Sequence, residues 1–519
     1  MIQQRWLRII PVALIMYTIS YVDRTNISLA LDPQISTMMK DLFMDDKLKG
    51  EAAGIFFFGY VLLQLPGGYL ATHWSARKII SIFLVCWGAC AVGCGLVGTF
   101  QQFEWTRFFL GVAESGVFPA TTVLLANWFP RAERARANAY WNLCQPLAVA
   151  VSGPFSGWLL GLRDQGWLSH ALATASAPFT PALAGPWGWR QMLVLEGALP
   201  FVWLPIWWYF VRDHPREAPW ISLEEREHLE TTLRAEAAAS EPATKKAVWR
   251  MLFAPAFLVL AGIYGVQICA AYWGLPGLTH GLKGTEDSLL LYGLWWAVPY
   301  AAVTVVVTFL CLWADQKRPR RDQVSFVNPT LLVMVGIYFL HNCAAYGCMT
   351  FFTTGLKGRG FSPFQYGLLF AVPYAVTAVI MILISRHSDQ TRERRGHAGF
   401  IYGLSGVCLI LSVLCQQHFW VSYGLLCLAI PGPFAAMAPF WAIPSEVLPR
   451  SLLGLVVGIV NAVGNIGGFV GQFLVGWLVK EYHDNHRAFE LLGLGMIIAA
   501  ALCFLLPKSA PPPPANKPA

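Results

Sequence analysis

The 519-residue chain predicts an all-α membrane protein of about 14 spans in which one two-helix hairpin has been duplicated, and three observations carry that expectation. The residues are 56% hydrophobic and 13% charged, against about a quarter charged in soluble domains. Apolar runs of about 20 residues, the length a helix needs to cross the hydrocarbon, recur from end to end. One stretch containing two such runs is repeated in tandem along the chain.

The first run lies near 9–31. Its position suits a signal peptide, but it is too long, carries Asp23 and Arg24, and lacks a small-residue cleavage site, so a retained span is expected. Further spans lie near 50–71, 79–99, 104–126, 136–162 and 191–211. After a polar stretch come 255–278, 289–313, 330–353, 365–385, 398–416, 420–443, 453–479 and 488–506. Residues 212–252 form a long linker in which Ser222 and Glu225 make the S-x-x-E pattern that opens a helix, here amphipathic through about Ala239. The segments 163–189 and 508–519 are rich in Ala, Pro and Gly or in Pro, and read as irregular.

Positive charge fixes the expected orientation. Arg77, Lys78, Arg131, Arg134, Arg136, Lys317, Arg318, Arg320, Arg321, Arg386, Arg392, Arg394 and Arg395 fall in alternate loops, while Asp32, Asp41, Asp45, Asp46, Glu286 and Asp287 fall in the others. Cytoplasmic loops carry the excess of Lys and Arg, so both termini are expected in the cytoplasm of an inner (plasma) membrane protein. The net charge of +8 then belongs to topology, with no nucleic-acid partner needed. The 12 cysteines are scattered and form no CxxC; Cys86, Cys90 and Cys94 share a helix face without other ligands, so packing is expected and no metal.

A shift of 74 residues aligns 255–323 with 329–397. Cys269, Ala270, Ala271 and Tyr272 match Cys343, Ala344, Ala345 and Tyr346, and Asp315-Gln316 matches Asp389-Gln390. Polar loop residues agree in the same register, which chance similarity of apolar segments does not produce. Adding two spans leaves the orientation of everything downstream unchanged.

Ionisable groups inside spans cost at least a few kcal/mol and therefore need a partner or a task. Asp23 and Arg24 stand just past the middle of span 1. Arg107 and Glu114 stand on span 4, and seven residues, nearly two turns, put them on one face. An arginine offers a carboxylate a charged, two-pronged fork. A carboxyl group in apolar surroundings suits proton exchange, because desolvation favours its neutral form and a nearby guanidinium its charged form. On this reading Asp23 answers to Arg24 and Glu114 to Arg107. Tyr21, Tyr60 with Gln64, Asn142 with Gln145, and Asn461 with Asn465 add polar groups at mid-span, where interhelical hydrogen bonding is the alternative role. His341 and Asn342 have weaker claims.

These residues resemble the anion:cation symporter family of the major facilitator superfamily. The resemblance rests on Arg5 to Pro11, Tyr21 to Ile27, Gly59-Tyr60 with Gln64 to Gly68, Arg107 to Gly111 with Glu114, Phe118-Pro119, Trp128 to Pro130 and Gly157 to Leu159. In the second half it rests on Gly360 to Ser362, Ser388-Asp389, Ile443 to Glu446 and Gly464 to Phe469. It implies two six-helix bundles around a central cavity, 1–211 and 324–507, joined by the linker 212–252, with the hairpin 253–323 as an insertion and 508–519 as a tail. It implies proton coupling by Asp23 and Glu114, with Tyr21, Arg24, Tyr60, Arg107, Gln145 and Asn465 around a small organic anion, a sugar acid favoured. Its loop motif between spans 2 and 3 here has Thr72 where an acidic residue is usual. The implied protein is a monomeric transporter in the lipid bilayer, not an enzyme, driven by a proton gradient without a cofactor. Proton-driven efflux of amphipathic compounds is the alternative.

Overall fold

The computed structural model describes residues 4–162, 187–238, 329–352, 359–391, 393–447, 450–483 and 485–507. The chain divides into two compact units, 1–241 with 334–519, and 242–333. The second, which contains the whole of the expected extra hairpin 253–323, lies almost wholly outside the described residues. The first carries the helical passes of both halves.

The N-terminal half makes six passes: α1 (Ile10–Ala30); α2 (Asp46–Leu62) with α3 (Gln64–Leu70); α4 (Ala76–Leu96); α5 (Phe100–Ser115) with α6 (Val117–Trp128); α7 (Arg131–Asn142) with α8 (Cys144–Gly161); and α9 (Trp189–Gly197) with α10 (Leu199–Phe210). The linker helix α11 (Leu223–Ala238) comes next. The C-terminal half has α12 (Pro329–Phe351), α13 (Pro363–Thr391), α14 (Arg395–Leu414), α15 (Phe419–Ala429), α16 (Pro431–Ala435), α17 (Met437–Val447), α18 (Arg450–Tyr482) and α19 (His486–Leu505). Among the described residues no strand occurs, and 11 helical segments are long and apolar enough to cross a membrane.

Apolar length sets the passes; proline sets their breaks. Interruptions at Leu63, Gly116, Leu143, Ala198, Ile430 and Ala436 each sit just ahead of Pro66, Pro119, Pro146, Pro200, Pro431 and Pro439. A proline lacks the N–H that would close the turn and its ring crowds the carbonyl one turn earlier. Starts are capped by side chains: Asp45 accepts from Leu48 N (2.8 Å), Ser75 from Lys78 N (3.0 Å), and Ser222 from Glu225 N (3.3 Å).

The stretch around Thr72, placed by the resemblance in the loop motif between spans 2 and 3, is helical: Ala71–Ser75 is a π-helical turn, and Ser75 is extended. Thr72 Oγ1 donates to Gly68 O, while an acid arrives from span 6, Asp213 accepting from Ser75 Oγ (2.5 Å) and Arg77 N (2.9 Å). The acidic partner of this turn is distant in sequence, which is why the local motif did not show it. Helix α11 is tied to the same end of the molecule. Buried Arg5 bridges Glu133 (2.7 Å) and Glu225 (2.6 Å), joining α7 to α11.

The two halves meet at the opposite end, formed by residues 31–45 and their neighbours. A Cβ on Gly153 would overlap the carbonyl of Gly367, and one on Gly367 the carbonyl of Gly153, so α8 and α13 touch backbone to backbone. Gly50 approaches Gln472 and Gly476 in the same way, bringing α2 onto α18. Tyr366 Oη donates to Gln34 Oε1 (2.5 Å), and Lys480 pairs with Asp45 (2.8 Å). This end is closed. Gly367→Val should hold it ajar and slow transport about tenfold, as overpacking costs of about 1–3 kcal/mol imply. Uptake assays in proteoliposomes, with the melting temperature as a control for folding, test this; wild-type rates would contradict it.

Partial burial alone would raise the Asp45 carboxyl, but the Lys480 ammonium and the Leu48 N–H outweigh it and hold it below its ordinary value. The pair's contribution is therefore complete at neutral pH and is lost only as acid titrates that lowered carboxyl. Both side chains are about half exposed, so the contribution is about 1 kcal/mol or less. Asp45→Asn is expected to widen the distance distribution between spin labels on residues 36 and 481 at about pH 7, and wild-type protein to do so only in acid below the ordinary carboxylate range.

Candidate functional site

The centre of the first unit is an arginine in a box of rings. Arg24, 3% exposed, lies on α1 with its guanidinium 4.3 Å from the ring centre of Tyr60, 4.8 Å from Tyr21, 5.1 Å from Phe56 and 5.8 Å from Tyr17. Ring faces attract a desolvated cation, and these come from α1 and α2. Arg24 Nε donates to Glu114 Oε2 (2.8 Å), which also accepts from Ser20 Oγ (2.8 Å). Glu114 is wholly buried near the end of α5. Hydroxyls continue the polar surface across the halves, Tyr17 against Tyr60 (3.2 Å) and Tyr21 against Tyr346 of α12 (3.4 Å).

Asp23 faces away from this box, and Arg107 shares only its Phe56 wall. Trp87 Nε1 on α4 donates to Asp23 Oδ2 (2.6 Å), and Arg107 Nη1 donates to the backbone oxygen of Asp23 (3.2 Å) with its guanidinium 5.2 Å from Phe56. The pairing read from the sequence is thereby corrected. Adjacent helical residues diverge by about 100°, so Asp23 and Arg24 face different neighbours. Along α5, seven residues rise about 10 Å, which leaves Arg107 too far from Glu114 for a direct ion pair and Arg24 free to take it.

Of the remaining candidates, Asn465 on α18 donates to Asn461 O (2.7 Å), and Asn461 reaches across to Gln64 Oε1 (2.8 Å). These contacts join α18 to α3 as a second bridge between halves, alongside the Tyr21–Tyr346 contact. Gln145, buried on α8, donates to Asn142 Oδ1 (3.4 Å) rather than meeting either arginine. His341 is buried against Tyr402 (3.2 Å) and Tyr338 rather than against a charge. The apolar cavity between Ala344, Cys348, Ser405, Pro433 and Met496 lies in the C-terminal half alone and holds none of these charges.

Several buried polar atoms at the centre have no partner: Arg24 Nη2, Arg107 Nε, Gln64 Nε2 and Glu114 Oε1. Three are donors, two of them on cations, so the arrangement is equipped to receive an acceptor-rich anion. Sequence reasoning missed Trp87, Tyr346 and Glu196. Glu196 had a visible signal, a lone acid inside the run 191–211.

The family model described as Major Facilitator Superfamily matches residues 13–361, 298–472 and 356–519. A "Quinolone resistance transporter" of Acinetobacter baumannii is 26% identical, over 96% of this chain and 93% of its own. A "Putative tartrate transporter" of Agrobacterium vitis is 26% identical, over 97% and 94%. Among solved structures, a bacterial homologue of the human lysosomal transporter Spinster, in an inward-facing and occupied conformation, superposes with a TM-score of 0.65 at 14% identity over 97% of each chain.

Proposed function

The chain belongs to the Major Facilitator Superfamily, and we propose that within this transporter family it carries a small organic anion together with protons, a sugar acid being the favoured cargo. The observation that carries this reading is the buried Arg24 guanidinium, its Nε engaged by Glu114 and its Nη2 without a partner. In this reading the anion's carboxylate takes Arg24 and draws on Arg107. Tyr21, Tyr60, Gln145 and Asn465 contact the rest of the cargo, and Glu114 and Asp23 carry protons. The proton gradient drives the cycle without a cofactor. The protein works as a monomer in the inner membrane with both termini cytoplasmic, so that the closed 31–45 end faces outward.

The tartrate relative supports a carboxylate cargo. A second reading, export of amphipathic compounds, is favoured by the quinolone-resistance relative and by the rings around Arg24. Thermal-shift measurements on purified protein with sugar acids, aromatic acids and dicarboxylates separate the cargo classes, since a ligand at about 100 times its Kd stabilises by about 2.7 kcal/mol. Accumulation of the labelled acid inside or outside energised vesicles then decides between uptake and export. Absence of stabilisation by any acid contradicts the anion reading.

A further inference from the structure

We propose that Glu196 is a third proton-carrying carboxyl group of the transport cycle, exchanging its proton with Asp23; this rests on the proton-coupled reading above. Glu196 lies on α9, fully buried, and each of its oxygens accepts one hydrogen bond, from Asn26 Nδ2 (2.7 Å) and from Ser156 Oγ (2.6 Å). Both donors are neutral, and among the described residues no ion pair to Glu196 occurs. A buried carboxylate kept only to tie helices together would carry a desolvation cost that a glutamine avoids.

The two partners serve either protonation state. A hydroxyl donates or accepts, and an amide presents its NH2 or, after a half-turn, its oxygen. Asn26 Oδ1 is buried without a partner, so turning it toward a neutral Glu196 breaks no bond of its own. On α1, Asp23 stands one turn before Asn26 and interacts electrostatically with Glu196. Trp87 of α4 is bonded to Asp23, and Glu114 and Arg107 of α5 also act on Asp23; Ser156 lies on α8, and α10 brings no charged side chain. Arg190, on the same helix as Glu196, donates to the carbonyls of Gly95 and Val97. Asp23, one turn from the Asn26 that holds Glu196, is the carboxyl group placed to exchange a proton with it. In the step proposed, a hydronium ion entering from the 31–45 side when that end opens gives its proton to Glu196, forming an O–H there and leaving water. That bond breaks as the proton passes to the Asp23 carboxylate, and Asn26 turns back to donate.

The test uses full-length protein in lipid. pH-difference infrared spectra should contain a titrating protonated-carboxyl band that Glu196→Gln removes and Asn26→Leu shifts. In proteoliposomes Glu196→Gln should lower the ratio of pH-driven uptake to counterflow about tenfold or more and flatten its pH profile. An unchanged set of titrating bands in Glu196→Gln overturns the proposal, as does an unchanged ratio. If Glu196→Gln does not fold, the band shift in Asn26→Leu decides in the same way. Wild-type protein with no pH-driven uptake overturns the proton-coupled reading instead, and the infrared band still tells whether Glu196 binds a proton.

Discussion

Arg24→Gln is expected to abolish anion binding, raising Kd at least about a hundredfold in protein that stays folded. A hydrogen bond to a charged group contributes about 1.5–3 kcal/mol, and a fork makes two at once. Glutamine keeps much of the length and one donor group but neither the charge nor the fork. The ring box of Tyr17, Tyr21, Phe56 and Tyr60 loses its cation, while Ser20 still donates to Glu114. Arg24→Lys keeps the charge without the fork, so its loss of affinity should be intermediate. Calorimetric titration of purified protein with the best ligand of the thermal-shift screen is the measurement. Unchanged affinity in Arg24→Gln would remove this guanidinium from the site.

The passes were legible because crossing a bilayer is a local demand, about 20 apolar residues wherever a helix must span. Runs near 330–353 and 488–506 correspond to Pro329–Phe351 and His486–Leu505 with end shifts of a few residues. The breaks inside the passes were equally local in cause, since each precedes a proline, but hydropathy does not register them. The central cluster was legible in its members, because Arg24, Arg107, Asp23 and Glu114 are ionisable groups where such groups are costly. Its pairing was not. Which carboxylate meets which guanidinium depends on the rotation of α1 against α5 and on Trp87 of α4 drawing Asp23 away, and neither can be read off spacing within one helix. Asp213 at the Ser75 turn and Gln64 against Asn461 are of the same kind, contacts between segments distant in the chain. The duplicated hairpin 253–323, inferred from the 74-residue repeat, lies outside the described residues.

Glu114→Gln is expected to separate exchange from accumulation. In the structure Glu114 holds one side of the Arg24 fork, so an incoming carboxylate competes with it for the same guanidinium. Once the anion has taken Arg24, a fully buried Glu114 keeps only Ser20 as a partner, and leaving it charged there costs several kcal/mol. Taking up a proton removes that cost, which makes anion binding and proton binding one event. Glutamine imitates the protonated acid in shape and neutrality. The variant should therefore bind the anion and exchange it across the membrane at a rate near that of wild type, while no longer concentrating it. Counterflow and pH-driven uptake in the same proteoliposomes check this, with an expected fall of about a hundredfold or more in the pH-driven rate alone. Asp23→Asn, which leaves Arg24 and Glu114 paired, should reduce pH-driven uptake without tightening the anion, whereas Glu114→Gln should also tighten it, because the competing carboxylate is gone. If both variants still accumulate the anion when driven by pH, the coupling protons travel through other groups, and His341 becomes the next to replace.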